Sequence, residues 1–261
     1  MLKLKNISKN FGATIALNGV TLAIPAGQMV GLVGRSGAGK STLLRIINRL
    51  ETPSAGDITF DDEAVLALRG PAVRAWRARC AMIFQQFNLV NRLDVLTNVL
   101  AGRLHWQSPL GIAFKAFSEA DRARAARALE RLGMLPFALQ RAGTLSGGQQ
   151  QRVAIARALV QQPKIVLADE PIASLDPMNA QLVLEALRRI NREDAITVVA
   201  SLHQVEAALQ HCDRIIGLAA GRVVFDAPTA GLQAADIERI YNVTDVAEQA
   251  SAVALREPEP V

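Results

Sequence analysis

The run Gly34–Thr42, GRSGAGKST, fits the pattern GxxxxGK[ST] at Gly34, Gly39, Lys40 and Ser41. Glycines let successive backbone N–H groups turn toward one anion, the lysine reaches the β- and γ-phosphates of a nucleotide, and the serine hydroxyl ligates magnesium. Gly34, Arg35, Ser36, Gly37, Ala38, Gly39, Lys40, Ser41 and Thr42 are therefore the phosphate-binding candidates. The run IVLADE supplies a second element, because its apolar residues end in Asp169 and Glu170. Adjacent acids at the end of a buried strand are costly unless they handle a cation or a proton. Asp169 suits magnesium, directly or through water, and Glu170 suits a general base that aligns and activates attacking water. Gln85 and His203 end two further apolar runs. Gln85 could contact magnesium or the attacking water, and His203 could hold the γ-phosphate through a neutral hydrogen bond.

A third feature lies in TLSGGQQQRVAIARAL, where Ser146, Gly147 and Gly148 stand ahead of a helical pattern carried by Val153, Ala156, Ala158 and Leu159. A helix start stripped of side chains allows close approach, and its N–H groups favour an anion. An ordinary Ser and Gly cap is the alternative. The chain thus carries two anion-binding features far apart in sequence.

The elements that must position these groups are short apolar runs, MVGLVG, AMIFQ, IVLADE and ITVVASLH, separated by helical patterns. They predict a mainly parallel sheet, with ligand beyond the carboxyl ends of its strands. The N-terminal MLKLKNISKNF alternates like a strand and lacks the apolar core of a signal peptide, which predicts a cytoplasmic protein. No apolar run approaches the ~18 residues that span a bilayer. Cys80 and Cys212 stand far apart, outside any metal-ligand spacing, and read as reduced buried thiols. The net charge of +5 comes largely from arginines, many of them in RAWRAR and DRARAARALERLG. These read as solvated helix faces, and few aromatics interleave them to stack a nucleic acid.

With the phosphate loop, Gln85, LSGGQ and LADE in that order, the chain resembles the ATP-binding subunits of ABC transporters, over nearly all its length to about residue 243. The resemblance continues in SLDP, the family's D-loop with Asp176, and in SLHQ with its switch histidine, His203. It implies an α/β P-loop NTPase fold: an ABC nucleotide-binding domain over residues 1–243, with a mainly parallel core sheet, an antiparallel β-subdomain and a helical subdomain at about 90–142. Residues 244–261 form a tail whose composition predicts partial disorder. Phe11 stands where the family has an adenine-stacking aromatic, a plain core Phe being the alternative. Trp106 and Phe114 read as packing residues, and Ser118 and Asp121 are spaced as a capping box for a helix that Gly133 stops.

The resemblance also implies ATP and Mg2+ as cofactors, the metal held by Ser41, Gln85 and Asp169. Catalysis falls to Glu170, His203 and Gln85. A second copy of the chain pairs head to tail, so that Ser146, Gly147, Gly148 and Gln149 of one copy cap the γ-phosphate of the other, with Asp176 near the same interface. Permease subunits are the implied membrane partners, with an extracytoplasmic solute-binding protein acting indirectly and no nucleic acid. This places the chain peripherally on the cytoplasmic face of the cell (inner) membrane.

Within the family, QQFNLVNRL and its neighbours read most like the ATP-binding subunits of phosphonate importers, although Ala227 stands where that group tends to have Gly. Transport of phosphonate or a related phosphorus oxyanion is the implied role. Two rivals are an ABC-type module docked on a soluble phosphonate-degrading assembly and a nucleic-acid-linked ABC ATPase.

Overall fold

The computed structural model describes residues 1–107 and 117–232, so Phe114, the tail and the last residues of the 1–243 domain lie outside the described residues. In chain order the strands are β1 (Leu2–Phe11), β2 (Thr14–Ile24), β3 (Met29–Val33), β4 (Ala55–Phe60), β5 (Glu63–Ala64), β6 (Cys80–Ile83), β7 (Ile165–Ala168), β8 (Thr197–Leu202), β9 (Arg214–Ala219) and β10 (Arg222–Pro228). The α-helices are α1 (Lys40–Ile47), α2 (Pro71–Arg79), α3 (Val95–Leu100), α4 (Glu119–Arg131), α5 (Gly147–Leu159), α6 (Pro177–Asp194) and α7 (Val205–His211). The chain divides into two compact units, Met1–Leu68 with Thr197–Val261, and Arg69–Ile196.

In the first unit the alternation of LKLKNISKNF builds β1, with Leu2, Leu4 and Ile7 buried on one face. It lies between β2 and β4, antiparallel to both, and β5 extends the sheet beyond β4. The continuous apolar run of β3 is buried at every position, as expected of a strand covered on both faces. It runs parallel to β8 and β9, and β10 returns antiparallel along β9. Gly31 of β3 lets α7 press close, since a Cβ there would fall 2.8 Å from that of Ala208.

In the second unit β6 and β7 are parallel. Buried Val153, Ile155 and Ala156 anchor α5, and α3 packs against α4 and α5. The arginines of RAWRAR and of α4 largely face outward, as expected of solvated helix faces: Arg74, Arg77, Arg122 and Arg127 are exposed. Trp76 is buried, whereas Trp106 is 45% exposed and lies under the Arg103 guanidinium at 3.7 Å. Cys80 and Cys212 are both buried, and neither is joined in a disulfide. No helix among the described residues is long and apolar enough to cross a membrane.

The start of α4 departs in detail from the expected capping box. Ser118 Oγ does accept from the Asp121 N–H at 3.1 Å, and Gly133 ends the segment at φ 66. The Asp121 carboxylate, instead of reaching back to the Ser118 backbone, accepts from the Ser118 hydroxyl, from Arg103 Nε at 2.9 Å and from Gln107 Nε2 at 2.9 Å. A guanidinium, being charged itself, outcompetes a neutral backbone N–H for the same buried carboxylate. Burial would raise the Asp121 pKa, but the Ser118 hydrogen bond and the Arg103 and Arg124 guanidinium groups hold it below its ordinary 3.8.

Asp121→Ala, which strands Arg103 at low dielectric, is expected to cost about 3–5 kcal/mol in urea unfolding at pH 7. Because the folded pKa is depressed, this contribution is complete above the unfolded value near 3.8 and disappears as pH falls through the folded value. Unchanged stability at pH 7 would show that the pair contributes nothing.

Candidate active site

The first unit presents the phosphate loop where β3 ends. Gly34, Gly37 and Gly39 have φ of 149, 88 and 103. The backbone on either side of the loop crowds two of them: a Cβ at Gly34 would lie 2.2 Å from the Leu218 carbonyl oxygen, and one at Gly39 would lie 2.5 Å from that of Ala16. Gly37 faces open space, so its backbone conformation alone demands glycine and no side chain covers the loop there. Gly39 is the N-cap of α1, whose first turn carries no acidic residue to compete with an anion.

Lys40 is 4% exposed and donates to the carbonyl oxygens of Gly34 at 2.6 Å and Arg35 at 2.9 Å. Its ammonium therefore lies across the loop, where phosphate oxygens would compete for the same donors. Ser41 and Thr42 follow in the first turn of α1. Val33 pairs with Leu202 in the parallel β3–β8 ladder, so Gly34 and His203 leave neighbouring strands side by side. Phe11, at the end of β1, is 48% exposed, which removes the core-packing alternative for it.

The second unit presents the acidic groups. Ile83 pairs with Ala168 in the β6–β7 ladder, and the Asp169 N–H continues it to the Ile83 carbonyl at 2.8 Å. Gln85, Asp169 and Glu170 thus share one end of this strand pair. Asp169 is 4% exposed, Glu170 half-buried and Gln85 exposed. Glu170 stands at φ 47, in the left-handed region that a long side chain occupies at a cost.

Ser146 is the N-cap of α5 and forms a reciprocal capping box with Gln149: its N–H donates to Gln149 Oε1 at 2.9 Å, and its Oγ accepts from the Gln149 N–H at 3.4 Å. The structure therefore realises the ordinary helix cap within one chain. Asp176 caps α6, accepting from the Asn179 N–H at 3.1 Å and from Asn179 Nδ2 at 2.6 Å. The Asn179 side chain, followed by its backbone N–H, holds the Asp176 carboxyl below its ordinary range.

Two residues missed by sequence reasoning tie these segments together. Asn179, besides holding Asp176, packs so closely on Gly148 that a Cβ there would fall 2.4 Å from Asn179 Oδ1. Arg157, toward the other end of α5, donates to the carbonyl oxygens of Phe87 at 2.8 Å and Asn88 at 2.6 Å, in the loop that follows Gln85. Burial lowers its pKa. An Asn three residues after a capping Asp was a readable signal for the first; nothing local pointed Arg157 at a loop so distant in sequence.

A protein-family model described as ABC transporter matches residues 17–173, a span that runs through the phosphate loop, Gln85, the Ser146 cap and the two acids. This chain belongs to the ABC transporter family. Among similar proteins, the phosphonates import ATP-binding protein PhnC of Rhizobium johnstonii is 59% identical over 241 residues, which covers 92% of this chain and 86% of that protein. That of Agrobacterium fabrum is 60% identical over 238 residues, covering 91% and 83%. Among solved structures, a dimeric bacterial ABC transporter cassette is 36% identical with a TM-score of 0.78, over 89% of this chain and all of that one. The same cassette in a post-hydrolysis dimeric state bound to ADP and Pi matches at 36% identity and a TM-score of 0.76, with the same coverage. The strands and helices described above are thus those of an ABC ATP-binding cassette: a mainly parallel sheet with an antiparallel β-subdomain and helices.

Proposed function

We propose that this ABC transporter-family chain is the ATP-hydrolysing subunit of an importer for phosphonate or a related phosphorus oxyanion, working peripherally at the cytoplasmic face of the cell membrane. The observation that carries this reading is a complete phosphate loop in a chain 59% identical, over 92% of its length, to a phosphonates import ATP-binding protein. Gly34 to Thr42 bind the ATP phosphates, Lys40 exchanging its loop carbonyls for phosphate oxygens, and Phe11 stacks on the base. Glu170 orients attacking water and takes its proton, while His203 holds the γ-phosphate by a hydrogen bond and Gln85 aligns the water.

A magnesium ion fits the donor set: Ser41 brings a hydroxyl, Gln85 a carboxamide oxygen and Asp169 a carboxylate, all hard oxygen donors. When bound, the ion neutralises charge on the phosphates. Residues 1–243 act as the nucleotide-binding domain, with the helical segment at about 90–142 facing the permease.

Ser146, Gly147, Gly148 and Gln149 act on the nucleotide of a second copy, with Asp176 at the same interface. Gly147 supports this. Its Cβ would meet only ordinary contacts, 3.5 Å to Leu175 and 3.7 Å to Phe87, and its backbone lies outside the left-handed region. Its own chain therefore does not require glycine there, whereas a closely approaching ligand would. The dimeric state of the solved cassette agrees with a paired arrangement.

Isolated chains are expected to hydrolyse ATP slowly. Proteoliposomes that add the permease subunits and a loaded solute-binding protein should raise turnover by about fivefold or more, because closure is favoured only by a partner with differential affinity for the closed state. Phosphonate, phosphite and phosphate are compared as solutes. Full stimulation by a soluble enzyme assembly with no permease would favour the enzyme-docked alternative.

A further inference from the structure

Lys9 sits two residues before Phe11 on β1, and its environment is unusual for a strand lysine. Its side chain is only 13% exposed, and the ammonium donates to Glu51 Oε1 at 2.7 Å and to the Thr52 carbonyl oxygen at 2.8 Å. The same nitrogen lies 4.7 Å from the centroid of the Phe11 ring. Three directions of an ammonium, which has three N–H donors, are thus accounted for by an acid, a carbonyl and an aromatic face. The ring it supports is 48% exposed.

Both ends of this contact are fixed to the phosphate loop. Lys9 pairs with Leu17 across the β1–β2 ladder, and Leu17 Cδ2 packs where a Cβ on Gly39 would come within 2.8 Å. Glu51 is tied to the end of α1, the helix that continues the loop, because its N–H donates to the Arg45 carbonyl at 3.2 Å. Lys9 holds the Glu51 carboxyl below its ordinary value, first through the hydrogen bond.

We infer that the Lys9–Glu51 pair is a positioning device for the nucleotide base: it fixes Phe11 from one face at a set place relative to the phosphate loop and leaves the ring to stack a purine. This rests on the reading of Phe11 as the base platform. A fixed cation on one face draws π-density toward itself, which makes the ring a better partner for an electron-rich base stacked on it. Preorganisation adds to this, since a ring already held in place loses less freedom when the base arrives. Lys9 does not touch the nucleotide in this assignment; it acts through Phe11.

Calorimetric titrations with ATP and with inorganic tripolyphosphate separate the effects, because tripolyphosphate engages the loop and has no base. Lys9→Met is expected to weaken ATP binding by about two- to fivefold, the size of a partly exposed cation–π contact, and to leave tripolyphosphate binding unchanged. Lys9→Arg should recover most of the loss, and Lys9→Met should add little in a Phe11→Leu background. Equal weakening toward both probes would overturn the inference in favour of a general charge or folding effect, and so would unchanged ATP binding in Lys9→Met while Phe11→Leu binds ATP more weakly. If Phe11→Leu itself moves neither probe, the base-platform reading fails first and takes the inference with it.

Discussion

Glu170→Gln is expected to lower ATP turnover by about two to four orders of magnitude while nucleotide binding persists. The substitution keeps the shape and hydrogen-bonding reach of the side chain and removes its capacity to accept a proton. The backbone sharpens the test. Glu170 stands at φ 47, a conformation that costs a long side chain about 1–2 kcal/mol and that asparagine tolerates better. Glutamine inherits this strain, so Glu170→Gln should unfold at nearly the wild-type denaturant concentration. Glu170→Asn should be at least as stable as wild type, by up to about 1 kcal/mol, and as inactive as the glutamine variant. Stability and activity moving apart at one residue is what a strained catalytic position gives. Wild-type turnover in Glu170→Gln would remove Glu170 from the mechanism.

The strain at Glu170 marks a boundary between what the sequence encodes openly and what it does not. The buried runs that became β3, β6, β7 and β8 were legible because a strand covered on both faces excludes charged residues and admits only small polar ones such as Thr197 and Ser201, so ionisable chemistry begins where the run stops. Gly34, Asp169 and His203 follow directly from that constraint, and Gln85 comes two residues beyond β6. The cap at Ser146 was legible as a residue type, whereas Asp176 was read only as the D-loop acid and its capping of α6 came from the structure. The Gln149 box repeats a local three-residue spacing, whereas the closure of Asn179 over Gly148 joins the starts of two different helices.

Asp121 misled for a related reason. Its spacing from Ser118 satisfies a local rule, but the carboxylate answers instead to Arg103, a residue that only the tertiary fold brings beside it. Arg157 was invisible in the same way, since a buried guanidinium reaching the Phe87 and Asn88 carbonyls leaves no local periodicity. Phe11 was ambiguous from sequence because an aromatic at a strand end serves a core or a ligand equally well; its exposure decided against the core.

Mixing Lys40→Ala chains with Gly147→Asp chains is expected to restore ATPase activity that neither has alone. Lys40→Ala removes the charge that faces the phosphates and should abolish most binding. Gly147→Asp places a carboxylate beside the helix start assigned to the partner's γ-phosphate, where like charge and lost close approach both oppose it. The ordinary contacts available to a Cβ at Gly147 mean that its own fold accommodates a side chain, so Gly147→Asp should remain folded; unfolding curves of the single variants check this. In a head-to-tail heterodimer one site combines both lesions, and the other combines an intact loop with an intact LSGGQ. Random pairing of equal amounts then makes about a quarter of all sites whole, and ATPase activity should approach that fraction of wild type if one site turns over by itself. If LSGGQ serves the nucleotide of its own chain, every site in the mixture carries one lesion and no activity returns. Differently tagged chains show whether subunits have exchanged. Proven heterodimers that stay inactive would defeat independent sites completed in trans, leaving either a cis role or two sites that must fire together.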